Sequence, residues 1–112
     1  EAEQNIQGRI IQHIGSALDL APGLGTFDLI FIDGDKREYP QYYEMAMRSL
    51  VHSGSYLLAD NILWYGKVAE QTPAGDRFTE GIKQFNRMVT EDDRVENVIL
   101  PLRDGLNLIR VK

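Results

Sequence analysis

Three hard oxygen donors, Asp33, Asp60 and Asn61, stand where two short apolar runs end. The first run, Phe27-Asp28-Leu29-Ile30-Phe31-Ile32, continues as Asp33-Gly34-Asp35-Lys36. The second, Tyr56-Leu57-Leu58-Ala59, continues as Asp60-Asn61. If both runs are parallel strands of one sheet, their C-terminal ends are neighbours and the three side chains meet at its edge. That edge is also where open α/β sheets take their ligands. Oxygen donors of this kind suit Mg²⁺ or a similar divalent cation, which takes six ligands in near-octahedral order and usually keeps places for water or substrate. A vicinal diol or a catechol would fill two of them. The cation acidifies such a hydroxyl and fixes its direction. Lys36, three residues beyond Asp33, is within reach of the same hydroxyl as a catalytic general base, a role worth roughly 10²–10⁴-fold. Any one Asp after a strand is more often a turn former or a helix cap. The joint pattern at two strand ends is what points to a metal.

The elements that must position these residues follow from periodicity and breakers. Residues 1–7 read as the end of a helix, broken by Gly8. Arg9-Ile10-Ile11-Gln12-His13-Ile14 reads as a strand rich in branched residues, and Ala17 to Ala21 as a short helix stopped by Pro22-Gly23. The run at 27–32 is apolar almost throughout, the pattern of a strand covered on both faces. A helix is expected from about Glu38 to Val51, with Pro40 in its first turn and Tyr39, Tyr43, Met47, Leu50 and Val51 on one face. After the strand at 56–59 comes a loop over 62–75. A second helix is expected from about Arg77 to Val89, capped by Asp76, with Phe78, Ile82, Phe85, Met88 and Val89 as its buried stripe. Val95 to Leu100 and Leu106 to Val111 read as two strands joined through Asp104-Gly105, which favours a reversal. The fold class is therefore α/β, a mixed sheet with a C-terminal antiparallel hairpin.

Composition narrows the function. A chain of 112 residues is one domain or part of one. Its net charge of −5 argues against a nucleic-acid surface, which needs clustered Lys and Arg. No run reaches membrane-spanning length, and the polar start Glu1-Ala2-Glu3-Gln4-Asn5 is unlike a signal peptide. There is no cysteine, hence no disulfide, thiolate ligand or thiol nucleophile, which fits a cytoplasmic protein. His13 and His52 lack partners at ligand spacing and are expected to be structural or exposed. Tyr39, Tyr42 and Tyr43 read as helix packing, Arg103 as a turn residue.

The segment Phe27-Asp28-Leu29-Ile30-Phe31-Ile32-Asp33-Gly34-Asp35-Lys36, followed by Tyr39, resembles the cation-dependent O-methyltransferases of the caffeoyl-CoA and catechol type, including bacterial members. Leu57-Leu58-Ala59-Asp60-Asn61-Ile62-Leu63-Trp64 resembles the second metal-binding segment of that family. Gly66-Lys67-Val68, Phe85-Asn86 and Leu100-Pro101-Leu102-Arg103-Asp104-Gly105-Leu106 follow in the right order. The resemblance implies a Rossmann-like fold, S-adenosylmethionine as methyl donor, and a divalent cation on Asp33, Asp60 and Asn61. It implies Lys36 as the base, and Ala17, Asp33 and Asp35 beside the methyl donor. Trp64 and Tyr65 would then face a planar aromatic hydroxyl substrate. Tyr65 departs from the plant pattern, which has Asn at that place.

The family's Gly-rich loop and its ribose-binding acid have no counterpart here. Gly23-Leu24-Gly25 precedes a strand, whereas a nucleotide loop follows one. The chain therefore reads as the C-terminal portion of one methyltransferase domain. Alone, it is expected to bind S-adenosylmethionine poorly and to be inactive. An open sheet edge favours a homodimer. Two other readings are open at this point. Asp33-Gly34-Asp35 is also the acidic spacing of Mg²⁺-dependent phosphoryl transfer, weakened by the Lys36-Arg37 that follows. A non-catalytic half-domain that self-associates is the other.

Overall fold

Four strands form one sheet in the order β1-β2-β4-β3. The structure is a computed structural model describing residues 8–112, so the helix end expected over 1–7 lies outside the described residues. The strands are β1 (Leu29–Ile32), β2 (Tyr56–Asp60), β3 (Val95–Leu100) and β4 (Leu106–Val111). The helices are α1 (Ala17–Leu20), α2 (Tyr39–Ser49) and α3 (Arg77–Glu91). β1 and β2 are parallel, with Ile32 opposite Ala59. β4 runs antiparallel to both β2 and β3. The α/β class, the mixed sheet and the C-terminal hairpin are as the sequence pattern requires.

Each helix begins and packs for identifiable reasons. Pro40 sits in the first turn of α2, where its missing N–H costs no hydrogen bond. Asp76 caps α3, its carboxylate accepting from the Thr79 backbone N–H at 3.2 Å and the Thr79 hydroxyl at 2.7 Å. Ile82, Phe85 and Val89 fill the core from α3, while Phe78, expected in the same stripe, is exposed at the helix start. Phe85 meets the rings of Tyr39 and Tyr43 edge-on at 5.4 and 5.8 Å, which joins the two helices. Beneath them Leu57, Ala59 and Ile109 present the buried face of the sheet.

The opposite face of the sheet is bare. Leu29 and Phe31 of β1 are 61% and 56% exposed, and Tyr56 and Val98 are also exposed. The run at 27–32 was expected to be covered on both faces, but the described residues supply only one helical layer. The outer edge of β1 has no strand partner among the described residues. For the same reason the strand expected over 9–14 does not form. That stretch is irregular, and Ile10, Ile11 and Ile14 are exposed. Branched residues favour a strand only where a neighbouring ladder and a packed face receive them, and neither is present beside this segment.

Gly81, in the middle of α3, lets the helix lie directly on the turn that carries Lys36. A Cβ at Gly81 would run into the Lys36 carbonyl and stand 3.0 Å from the Arg37 Cα, both backbone atoms. Alanine gains about 1 kcal/mol in helix propensity, but overpacking against rigid backbone costs about 1–3 kcal/mol. We expect Gly81→Ala to be destabilising on balance, read as a lower urea midpoint. An equal or higher midpoint would show that α3 does not bear on this turn.

Candidate active site

The parallel register brings the two strand ends side by side. Ile32 lies opposite Ala59, so Asp33 and Asp60 are the next residues of adjacent strands. A buried relay joins them. The Lys36 ammonium donates to Asp33 Oδ1 at 3.0 Å, to the Gly34 carbonyl at 3.1 Å and to the Tyr39 hydroxyl at 2.8 Å. Tyr39 in turn donates to the Asp60 carbonyl at 2.7 Å and lies 3.2 Å from that of Ile32. One wholly buried hydroxyl thus touches the last carbonyls of both strands. Burial pushes the Tyr39 phenol well above its ordinary range, and the charges of Asp33 and Asp60 push it further. Both carboxylates are therefore within electrostatic reach of one atom.

Asp60 is the buried member of the pair, its side chain 8% exposed, while that of Asp33 is 46% exposed. Asp60 Oδ1 accepts from the Asn61 backbone N–H at 2.8 Å. Among the described residues its Oδ2 has only the Arg103 guanidinium, at 3.5 Å. A buried carboxylate oxygen so weakly partnered favours a cation. Asn61 takes up a left-handed backbone, φ 63°, which Asn tolerates better than most residues. The chemistry of this donor set fits a hard divalent cation held by Asp33, Asp60 and Asn61. It contains two carboxylates and one amide. No group of three or more His, Cys, Asp or Glu that could hold a metal exists among the described residues.

The loop after β2 is laced to the turn between β3 and β4. Asn61 Nδ2 and the Tyr65 backbone N–H donate to the two oxygens of Asp104, at 3.4 and 2.7 Å. The Leu63 N–H donates to the Asp104 carbonyl at 3.0 Å, and Asn86 Nδ2 of α3 to the Ile62 carbonyl at 2.9 Å. Trp64 is half-buried and stacks on Phe78 at 6.4 Å, so its indole anchors the loop. The Tyr65 ring is 79% exposed and available to a ligand.

On the other side of Asp33 a cleft of about 230 Å³ is lined by Ala17, Ile30, Ile32, Asp33, Gly34 and Tyr42, among others. Ala17 and Asp33, far apart in sequence, thus share one apolar wall. Asp35 does not line it. Its carboxylate caps the turn at Lys36–Glu38 and takes both the backbone N–H and the guanidinium of Arg37, which hold its pKa below the usual carboxylate range. Both oxygens are engaged by Arg37.

A profile described as O-methyltransferase matches residues 13–112, nearly the whole chain. The chain belongs to the O-methyltransferase family. Similar members include tricin synthase 2 of Oryza sativa subsp. japonica, 42% identical over 91 residues, covering 77% of this chain and 31% of the relative. The catechol O-methyltransferase of Niastella koreensis is 35% identical over 108 residues, covering 88% and 48%. Among solved structures, the O-methyltransferase TomG of Streptomyces achromogenes, in complex with SAM, superposes with a TM-score of 0.88 at 26% identity, over 99% of this chain and 53% of TomG. This O-methyltransferase chain thus spans less than half the length of the curated relatives named and about half of TomG.

Several residues that build the site carried no chemical signal in the sequence. Tyr39 was expected only to pack, yet its hydroxyl is the hub of the relay. Asp104 and Gly81 look like a turn residue and a weak point in a helix. Only the long-range contact shows their roles. Replacing Tyr39 by Phe leaves a buried Asp60 carbonyl unpaired and removes one acceptor from Lys36, at a cost of about 1–3 kcal/mol. We expect Tyr39→Phe to lower the urea midpoint accordingly. An unchanged midpoint would mean the hydroxyl is not what ties the strand ends together.

Proposed function

We propose that this chain is the acceptor- and cation-binding portion of an S-adenosylmethionine-dependent, divalent-cation-dependent O-methyltransferase acting on a catechol-like or hydroxycinnamoyl-like hydroxyl. The observation that carries the reading is the placement of Asp33 and Asp60 at the ends of adjacent parallel strands, tied through Lys36 and Tyr39. Family membership and the methyl donor bound in TomG support the donor assignment.

Asp33, Asp60 and Asn61 hold the cation, Mg²⁺ in the simplest case, which when bound acidifies and orients an aryl hydroxyl. The acceptor oxygen attacks the methyl carbon in line with the sulfur. The C–O bond forms, the C–S bond breaks, and the products are the methyl ether and S-adenosylhomocysteine. Lys36 Nζ, held in this structure by Asp33, Gly34 and Tyr39, would serve as the general base for the acceptor hydroxyl and pass its proton on to solvent. Ala17 and Asp33 line the donor side of the sheet edge, and Asp35 shapes it through the Arg37 turn. Tyr65 offers a ring face to the acceptor and Trp64 fixes the loop that carries it. Most of the rate gain in such a transfer comes from aligning oxygen, methyl and sulfur. Among the described residues no helix is long and apolar enough to cross a membrane, and a cytoplasmic location is part of the same proposal.

The cation reading is tested by calorimetric titration of the chain with Mg²⁺. Saturable binding is expected, weakened at least about tenfold by Asp60→Asn, because the buried carboxylate supplies a charged ligand. Equal affinity in the variant would refute it. In the same cell S-adenosylmethionine should show no micromolar binding, because the described residues give it only one wall; tight binding would overturn the expectation that the chain alone is inactive.

A second association is proposed for the chain on its own. The unpaired β1 edge and the bare Leu29 and Phe31 side chains form the surface that a second copy would cover. Light scattering should give a dimer mass, and Phe31→Lys should return it to the monomer. A monomeric parent chain would dismiss this proposal.

A further inference from the structure

The turn between β3 and β4 carries a positive charge that methyl transfer as described does not use. Next to the donor set, on the side away from β1, lies a second cleft of about 510 Å³. Its walls include Leu63, Tyr65, Val68, Arg103 and Asp104. The Arg103 side chain is 85% exposed. Its one hydrogen-bond partner among the described residues is Asp60 Oδ2, at the 3.5 Å limit of such a contact. A guanidinium has five N–H donors, so most of them face the cleft or solvent without a protein acceptor. Asp104, the adjacent acid, makes no ion pair with it among the described residues. Both Asp104 oxygens are already committed to Asn61 Nδ2 and the Tyr65 N–H.

The backbone under Arg103 is fixed. Gly105 N–H donates to the Leu102 carbonyl at 2.9 Å, and the turn is tied at Asp104 and Gly105 to the Ile62 and Leu63 N–H groups. Arg103 itself takes a left-handed conformation, φ 51°. The guanidinium thus starts from a fixed backbone position, within 3.5 Å of Asp60 and lining the same cleft as the exposed Tyr65 ring.

We infer that Arg103 is a specificity-determining residue that selects aromatic acceptors bearing a carboxylate on the part of the ring remote from the reacting hydroxyls. This rests on the acceptor reading given above and adds the charge of the acceptor to it. The planar guanidinium fork matches a carboxylate in a two-point contact, while Tyr65 covers the ring face. In a chain with net charge −5, a local cation of this kind favours an anionic ligand at this cleft.

The test compares protocatechuate, its methyl ester and catechol as ligands of the 112-residue chain in Mg²⁺, by NMR titration. The ester keeps the ring, the hydroxyls and nearly the same size but lacks the charge. Protocatechuate should bind about fivefold tighter than its ester, the scale of an exposed but two-point ion pair. The preference should shrink in about 1 M salt, where such pairs are screened. Arg103→Asn should remove it, and Asn accepts the left-handed backbone, so the turn is kept. Arg103→Lys, a point charge without the fork, should restore part of it. Equal affinity for acid and ester in the parent chain, or a preference that survives Arg103→Asn, overturns the role of Arg103 and leaves the acceptor reading standing. Failure of all three ligands to bind saturably with Mg²⁺ present overturns the acceptor reading and this inference with it.

Discussion

The Tyr39 hydroxyl is the point on which the rest of the site depends. It is buried among Phe85, Tyr43 and the sheet, it accepts from Lys36, and it donates toward the last carbonyl of β2. Parallel strands alone would align Asp33 and Asp60 in register, but would not fix the loop that leaves β1. The chain turns sharply after Ile32, and Lys36 folds back so that its ammonium spans Asp33, Gly34 and Tyr39. A buried ammonium with three acceptors is well satisfied. With any one of them missing it would be costly, because an unpaired buried charge costs several kcal/mol. The position of Asp33 and the rotamer of Tyr39 are therefore coupled, and α3 presses on the same turn through Gly81.

The elements were legible to different degrees, for physical reasons. β3, β4, α3 and its Asp76 cap follow from local signals, and each forms where the periodicity places it. The placement of Asp33 and Asp60 at the ends of adjacent strands was legible too, because period, apolar run and chain order together favour a parallel register. The segment 9–14 was misjudged because propensity speaks for a residue and not for its partner. Ile10, Ile11 and Ile14 have a strand-like composition, but no ladder is available to them among the described residues. Asp35 is a similar case. Its place in the motif carries no sign of its local partner: in the structure Arg37 takes both of its oxygens. Tyr39, Gly81 and Asp104 were not legible as site builders, because their roles lie in contacts across tens of residues.

The bare face of β1 and the incomplete donor cleft have one origin. A parallel strand in an α/β sheet is normally covered on both faces and flanked on both edges. Here β1 has α2 on one face and β2 on one edge, while Leu29 and Phe31 on its other face are left open. The cleft containing Ala17 and Asp33 lies on the α2 side of β1, lined by Ile30 and Ile32 with Tyr42, Met45 and Ala46. The chain covers about half of TomG and less than half of the catechol O-methyltransferase of Niastella koreensis. The loops after β2 and between β3 and β4 are closed by contacts within this chain, whereas β1 is left open on one face and one edge.

Backbone strain is distributed in the same way. Four non-glycine residues with positive φ occur among the described residues: Asn61, Trp64, Tyr65 and Arg103. All four lie in the two loops that meet beside Asp60. A left-handed conformation costs a residue about 1–2 kcal/mol, and it is least expected for Trp and Tyr. Such a cluster persists only where the surroundings over-determine it. Here the determinants are visible: the Asp104 carboxylate on Asn61 and Tyr65, its carbonyl on the Leu63 N–H, Asn86 on Ile62, and the Trp64 stack on Phe78. Relaxing any of these residues to an ordinary conformation would move the Asn61 amide, the Tyr65 ring or the Arg103 guanidinium. Those are the groups that would address a cation, a ring face and an anionic substituent. The strain is concentrated in the two loops that meet beside Asp60, and among the described residues it is absent from the helices and strands that support them.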